Sequence, residues 1–521
     1  MGKKYTQKKR FKPKECTDEM TFQDCELAVL RHAVDENEKI SGEKMASSSE
    51  IKRMIQIVED FLVRKKLICY GGTAINNILP KSVQFYDKSY QIPDYDFFSS
   101  NALDDAKELA DVFYKEGYLD VEAKSGVHEG TYKVFVNFIP MADVTMLHKE
   151  LFQALLKESI KVAGIYYAPP NFLRMGMYLE LSRPAGDISR WEKVLKRLNL
   201  LNEYHPMKVE YNCATVDFQR KMDDKIEDSE KIYYTVRDTF IDLGVVFFGG
   251  YASSLYSKYM PKHAQRFVQK IPDFDVLSED PERTATIVTE RLEELGFKNI
   301  NTKHHAAYGE IIPEHIELSY GKDIVAFIYK PIACHNYNTI TIDNREINVA
   351  TIDTIMNFYL AFLYSDAGYY YKDRILCMAQ YLFEVERKMR LSQTGLLKRF
   401  SSKCIGTQET MESIRANKAA RFAELRKNRK SREFEEVFLK YEPGMTDQSP
   451  KKEAPKKEAP KKESPKESPK EESPKEESPK EESPKEESPK KRPKKGSKKE
   501  QKKTRKISNT RGVLRKLLFP L

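Results

Sequence analysis

Along residues 50–395 the spacing of apolar positions switches between the helical and the strand interval, which predicts a chain of mixed α/β character. Ile51, Met54, Ile55, Val58, Phe61 and Leu62 fall on one helix face, so Glu50–Arg64 is expected to be a packing helix, and a further helix is expected over Asp18–Arg31. Leu67-Ile68-Cys69-Tyr70 is a short uninterrupted apolar run, the mark of a buried strand, and Gly71-Gly72-Thr73 follow it at a helix start. Helical spacing returns over Asp104–Lys115. Tyr132, Val134, Val136 and Phe138 then alternate with other residues as in a strand, and Met141-Ala142-Asp143-Val144 supplies the next one. Phe172–Leu181 and Ile188–Leu201 read as helices.

The pattern then recurs. Val245-Val246-Phe247-Phe248-Gly249-Gly250 echoes Leu67–Gly72, Ile271-Pro272-Asp273-Phe274-Asp275 echoes Ile92–Asp96, and Met356-Asn357-Phe358-Tyr359-Leu360 echoes Met175–Leu179, at offsets of 178, 179 and 181 residues. Three matches in order with little drift indicate a duplicated unit. The expected division is a basic arm with N-terminal helices over 1–49, one unit over 50–205, a polar linker over 206–230, a second unit over 231–395, a charged helix over 396–442 and a low-complexity tail over 443–521. Gln408–Tyr441 is expected to be one long helix, either solvated or contacting RNA through its basic residues. The tail repeats Lys, Glu, Ser and Pro; its prolines forbid a regular helix and it has little to bury, so it reads as a disordered spacer.

Charge follows this division. Residues 451–516 hold 25 Lys+Arg against 13 Glu, a net of +12 that exceeds the +10 of the whole chain, and residues 1–450 hold 64 basic and 66 acidic, a net of −2. Polyanion attraction by the folded part must therefore come from a local patch. The opening Met1-Gly2-Lys3-Lys4-Tyr5-Thr6 fits either a plain basic arm or an N-myristoylation signal. Val513–Phe519 is a short apolar cluster that could dock on a partner. No apolar run is long enough to span a membrane, so no stable membrane association is expected. The seven cysteines are scattered, with no C-x-x-C pair; free thiols are expected, not a zinc site or a disulfide framework.

The candidate chemistry lies between Leu67 and Ser99 and in one later residue. Asp94 and Asp96 alternate onto the same face of a strand, where two carboxylates repel unless a cation sits between them. Asp143, among apolar neighbours, reads as a third carboxylate or as a lone acid at a strand end. Gly71 and Gly72 allow close approach of backbone amides to a triphosphate at a helix start, and Thr73 adds a hydroxyl. Arg190, Lys193, Lys196 and Arg197, beside the only tryptophan, Trp191, could meet triphosphate or RNA, or form a solvated helix face. Together these suit two-metal nucleotidyl transfer, in which a pair of Mg2+ or Mn2+ ions about 4 Å apart stabilises the attacking and leaving oxygens. No P-loop motif is present. His304, His305 and His315 lack metal-site spacing and are expected to be ordinary surface or strand residues. In the second unit Tyr251 stands where Thr73 does, and Val325 is expected to stand where Asp143 does, with Glu317 a less favoured candidate for the carboxylate. The first unit therefore reads as catalytic and the second as a retained scaffold.

Cys69–Ala74, Pro93-Asp94-Tyr95-Asp96, Ala142-Asp143-Val144, Tyr178–Pro184 and Arg190–Val194, with Ile352–Phe362 in the second unit, resemble the catalytic subunit of the poxvirus-type poly(A) polymerases of large DNA viruses. The resemblance covers roughly residues 20–400 and excludes the tail. It implies two tandem nucleotidyltransferase-like units, each a small mixed sheet with flanking helices and a helical extension. It implies ATP as substrate, an RNA 3′ end as acceptor, two Mg2+ or Mn2+ ions per site, and poly(A) addition to viral mRNA in the host cytoplasm, the viral factory or the virion. A homodimer or a separate processivity subunit would fit. The residues it marks are Asp94, Asp96 and Asp143 for catalysis and metal, and Gly71, Gly72 and Thr73 for the nucleotide; Lys193, one of the cations of the Ile188–Leu201 segment, is a further candidate for the nucleotide. Two other readings remain open: a transferase that adenylates a small molecule or protein, and an RNA-binding scaffold without activity.

Overall fold

The computed structural model describes residues 13–444 except 18, 88, 211, 219–228, 266–272, 366–367 and 390. The basic arm, the myristoylation signal, the repetitive tail and the terminal apolar cluster lie almost wholly outside the described residues.

Two eight-stranded mixed sheets organise the chain. The first is built from β1 (Ile68–Tyr70), β2 (Tyr95–Ser99), β3 (Val121–Ser125), β4 (Thr131–Val136), β5 (Ile139–Met146), β6 (Ile160–Val162) and β7 (Ile165–Tyr167). The second uses β8 (Val246–Phe248), β9 (Phe274–Leu277), β10 (Ile300–His305), β11 (His315–Tyr320), β12 (Asp323–Tyr329), β13 (His335–Ile342) and β14 (Arg345–Ala350). The short strands β15 (Cys404–Ile405) and β16 (Lys440–Tyr441) complete them. The orders are β16-β3-β4-β5-β2-β1-β7-β6 and β10-β11-β12-β9-β8-β14-β13-β15. Adding seven to each strand number of the first seven converts one order into the other. Parallel and antiparallel pairs correspond too: β2–β5 and β9–β12 are parallel, and β1–β2 and β8–β9 antiparallel. The duplication suggested by sequence is thus a duplication of topology.

The additions differ. β15 extends the second sheet beyond β13, whereas β16 extends the first beyond β3, at the other end of the common order. The echoing helices Pro170–Leu181 and Ile352–Phe362 pack on one another: the Asn357 amide donates to the Met175 carbonyl (3.3 Å). Beside them Arg399 pairs with the buried Asp353 (2.7 Å) and with Glu386 (2.5 Å).

Four local expectations change. The helix expected over Gln408–Tyr441 is two helices, Met411–Leu425 and Arg432–Phe438, because a turn returns Ser431 N–H to the Asn428 carbonyl (3.0 Å) and the Ser431 hydroxyl caps the second helix at Phe434 N–H (3.2 Å). β4 stops at Val136: Asn137 and Phe138, at φ 50° and 65°, form the hairpin turn into β5 and leave Phe138 exposed. The N-terminal helix runs Phe22–Ser47, well past Arg31. Six cysteines are paired as Cys16–Cys25, Cys213–Cys377 and Cys334–Cys404, with Cα separations of 5.1–5.4 Å; the last two pairs join positions 164 and 70 residues apart that the fold brings together, the first is local, nine residues apart, and Cys69 alone is free, and buried.

Candidate active site

β1 delivers the chain into the Gly71-Gly72 turn, and each glycine is required there for a different reason. Gly71 has φ +70°, a conformation that side chains disfavour, and a Cβ on it would lie 2.5 Å from Asp96 Oδ2. A Cβ on Gly72 would collide with the Tyr86 hydroxyl and approach Arg197 Nη1 to 2.9 Å. The helix Gly71–Ile78 starts at this turn, so the end that carries its unpaired first amides lies beside Asp96. The Thr73 hydroxyl is not free for a phosphate. It is buried and donates to the Asp94 carbonyl (2.6 Å), tying the glycine turn to the residue that leads into β2.

Asp94 precedes β2, Asp96 lies on it, and Asp143 lies directly opposite Asp96 on the parallel strand β5. Directly opposed residues share a face, so Asp143 joins the pair, as expected from sequence. Desolvation, then Asp94 and Asp143, push Asp96 up to about 7, against the pull of Lys133 and Arg190. Asp94, exposed as a residue but partly walled in at its carboxyl, is also raised, first by desolvation and then by Asp143. Lys133, opposite Asp143 on β4, makes a short ion pair with it. Among the described residues no three acidic, His or Cys side chains are gathered closely enough to form a ready-made metal cage. The donor set nonetheless suits a hard divalent cation: two carboxylates on adjacent strands and a third just before one of them, two of the three held above their ordinary range by desolvation and by mutual repulsion that such an ion would relieve.

A cationic group faces this set from the helix Trp191–Tyr204. Lys193 is depressed chiefly by Arg197, then by desolvation and by Arg190, while Glu180 and, less, Asp94 pull the other way. Arg197 lies over the rings of Phe85 (4.7 Å) and Tyr86 (5.4 Å) and donates to the Tyr86 hydroxyl (2.8 Å). Asn76, on the glycine helix, fixes that aromatic loop by accepting from Phe85 and Tyr86 N–H (2.8 and 2.9 Å). Trp191 does not enter the site: its ring N–H bonds the Glu180 carbonyl (2.9 Å). Arg197 is among the cations expected to meet triphosphate or RNA or to form a solvated face, whereas Lys133, Tyr86 and Asn76 carry no such signal in the sequence. The alternation of β4 puts Lys133 among buried Tyr132 and Val134, the one signal that it faces the other way.

The second sheet lacks the site. The parallel register pairs Phe274 with Ala326 and Asp275 with Phe327, so Phe327, not Val325, occupies the place of Asp143; the two are two residues apart on one face, and the register decides between them. Phe327 is buried and stacks on Tyr369 (centroids 5.0 Å apart). Glu317 lies one strand further out, opposite Phe327, where Lys133 lies in the first sheet. Tyr251 is buried against Phe247 and Phe274. His305 pairs with Glu317 (2.8 Å); His315 is no surface residue but a buried one, bonded to the Pro313 carbonyl (3.0 Å) and depressed to about 4 by burial.

Residues 56–187 match the sequence model of the family described as poly(A) polymerase catalytic subunit. Over 177 residues the chain is 33% identical to a protein of African swine fever virus (isolate Pig/Kenya/KEN-50/1950) whose name, as a poly(A) polymerase catalytic subunit, is provisional; the match covers 33% of this chain and 37% of that protein. A similarly named protein of Acanthamoeba polyphaga mimivirus is 30% identical over 181 residues, covering 33% of this chain and 29% of its own length. The matched part thus spans about a third of these relatives. The crystal structure of the Megavirus polyadenylate synthase superposes with a TM-score of 0.67 at 19% identity, covering 83% of this chain and 88% of that one, so the two share a fold.

Proposed function

We propose that this chain is a template-independent polynucleotide adenylyltransferase that transfers AMP from ATP to the 3′ hydroxyl of RNA, as the names of the matched relatives suggest. The observation that carries the reading is the opposition of Asp96 and Asp143 across β2 and β5, with Asp94 beside them and the cations of the Trp191–Tyr204 helix facing them. In the reaction the RNA 3′ oxygen forms a bond to the α-phosphorus, the bond from that phosphorus to the bridging oxygen breaks, and pyrophosphate leaves. Asp94, Asp96 and Asp143 would hold Mg2+ or Mn2+, which supplies Lewis-acid stabilisation of the two oxygens. Gly71 and Gly72 admit the triphosphate to the helix amides, and Lys193 and Arg197 balance its charge. Thr73 serves by positioning Asp94. Asp143, released from Lys133, is placed to take the proton of the attacking hydroxyl.

The same reading assigns catalysis to residues 50–205 and leaves 231–395 as scaffold, with processivity supplied by a second copy or a separate subunit. Labelled oligoribonucleotide incubated with each NTP in turn and Mg2+ or Mn2+ tests it. ATP-dependent lengthening in single-nucleotide steps is expected. Absence of lengthening with ATP, or equal lengthening with all four, would overturn it.

A further inference from the structure

One row of side chains crosses six strands of the first sheet. Tyr70 on β1 opposes Asp96 on β2, and Asp96 opposes Asp143 on β5. Asp143 opposes Lys133 on β4, Lys133 opposes Lys124 on β3, and Lys124 opposes Lys440 on β16. Cross-strand partners share a face, so three lysines stand abreast, leading from the carboxylates to the sheet edge. Their side chains are 36%, 42% and 71% exposed in that order. Lys124 also lies over the half-buried ring of Phe135 (4.1 Å).

We infer that this row is the track for the single-stranded RNA acceptor, with backbone phosphates on Lys133, Lys124 and Lys440, Phe135 as a neighbouring base platform, and the 3′ end at Asp143. The inference rests on the proposed adenylyl transfer and specifies where its acceptor lies. Strands are ~4.8 Å apart, so Asp143 to Lys440 is about 14 Å, the reach of a few nucleotides. Like charges directly opposed across strands cost stability, and the present counter-charges are weak. Lys124 pairs with Glu122 (3.0 Å) and Lys440 with Glu442 (3.3 Å), both at the surface, where such pairs contribute little and can be exchanged for phosphates.

The second sheet is the internal control. Its corresponding row reads Phe248, Asp275, Phe327, Glu317 and Lys303. At the point matching Lys133 it has an acid, and among the described residues no strand of the sheet follows beyond β10. The lattice therefore tolerates other residues, and the run of lysines belongs to the half with the carboxylates. β16 is held firmly for so short a strand. Tyr441 donates to Asp111 (2.6 Å), Ser125 N–H to the Leu439 carbonyl (3.0 Å) and Tyr132 to the Glu436 carbonyl (3.0 Å).

The test uses the full chain with Lys124→Glu, Lys440→Glu and the double variant. KM for an oligoribonucleotide several times longer than the track should rise about tenfold per substitution, with the KM for ATP unmoved, and the plot of log affinity against log salt should flatten by about 0.7 per lysine removed. Lys124→Arg and Lys440→Arg should keep near-native values, and Glu122→Gln should tighten RNA binding. A charge-reversed variant with native melting behaviour, native RNA KM and an unchanged salt slope would overturn the inference. So would rescue failure by arginine, or, for Lys440→Glu, equal loss for a dinucleotide too short to reach Lys440 and for the long oligomer. Absence of extension by the native chain would instead overturn the proposed reaction, so the two failures are distinguishable.

Discussion

The two sheets share strand order, strand direction and the position of a glycine turn, yet their equivalent faces hold opposite chemistry. In the first, the place beside Asp96 is taken by a carboxylate and the glycine turn is overlain by Arg197. In the second, a phenylalanine fills the matching place, and Tyr251 packs into an aromatic cluster where the first half has Thr73. Asp275 sits so close to Gly249 that a Cβ there would overlap its carboxylate. In the second sheet the Asp-x-Asp pair and the glycine turn are part of the packed architecture, with Asp273 and Asp275 both buried. What separates the two faces is the residue opposite on the next strand, Asp143 in one and buried Phe327 in the other.

The comparison can be broken most sharply at the carboxylates. Asp94→Ala should lower adenylate incorporation by at least about a thousandfold, the scale on which preorganised electrostatic groups act, whereas Asp273→Ala should leave it within about threefold in folded protein. Equal losses, measured as initial rates with a fixed RNA, would abolish the asymmetry. Next is Arg197→Ala, expected to raise the KM for ATP by about tenfold, the loss of one charge-assisted contact, with little change in RNA affinity. A change confined to RNA would move Arg197 out of the nucleotide site.

A smaller and more diagnostic effect is expected from the glycines. Gly249→Ala forces an unfavourable φ of +68° and a clash with Asp275, so thermal melting should show a loss of about 1–3 kcal/mol, with activity falling only as the folded fraction does. Gly71→Ala should cost similar stability but also activity in protein that remains folded.

A further effect depends on pH, and its ceiling is set by the size of the Asp96 shift. Asp96 is raised on folding to about 7, so it binds a proton that the unfolded chain has lost between roughly pH 4 and 7, and stability falls as pH rises through that window. Asp96→Asn removes this penalty. In metal-free protein it should raise the melting temperature at pH 8 and have no effect near pH 4, by no more than about 4 kcal/mol at ~1.4 kcal/mol per unit. Mg2+ should stabilise the native chain at pH 8 and the variant much less.

Most of the architecture was legible because it rests on local periodicity and was written twice. β1, the glycine turn, β2 and the helix Pro170–Leu181 each have a recognisable echo, and the echoes are equivalent in space. Asp143 could be picked out as a carboxylate among apolar neighbours. Its counterpart could not, because Val325 and Phe327 share a face and only inter-strand register chooses between them. The occupied Thr73 hydroxyl, the aromatic loop beneath Arg197 and the pairing of Lys124 with Lys440 arise from contacts between distant segments, for which spacing along the chain holds no signal. The break at Asn428–Ser431 was readable in principle as a capping serine, but the run of basic residues around it resembles a continuous helix.

The late strand β16 bears on how the molecule is made. The face that begins at Ile68 gains its last strand only when residues 440–441 arrive, and 304 residues separate Tyr132 from the Glu436 carbonyl it bonds. At about 5–20 residues per second, the outer edge of β3 waits on the order of 15–60 s during synthesis without its neighbour. A nascent or prematurely terminated chain can thus assemble its carboxylates and glycine turn without the outermost lysine of the row. Synthesis past residue 441 becomes a built-in check on grip, and until then the bare edge of β3 is where a chaperone, or a mispaired strand, would find the chain.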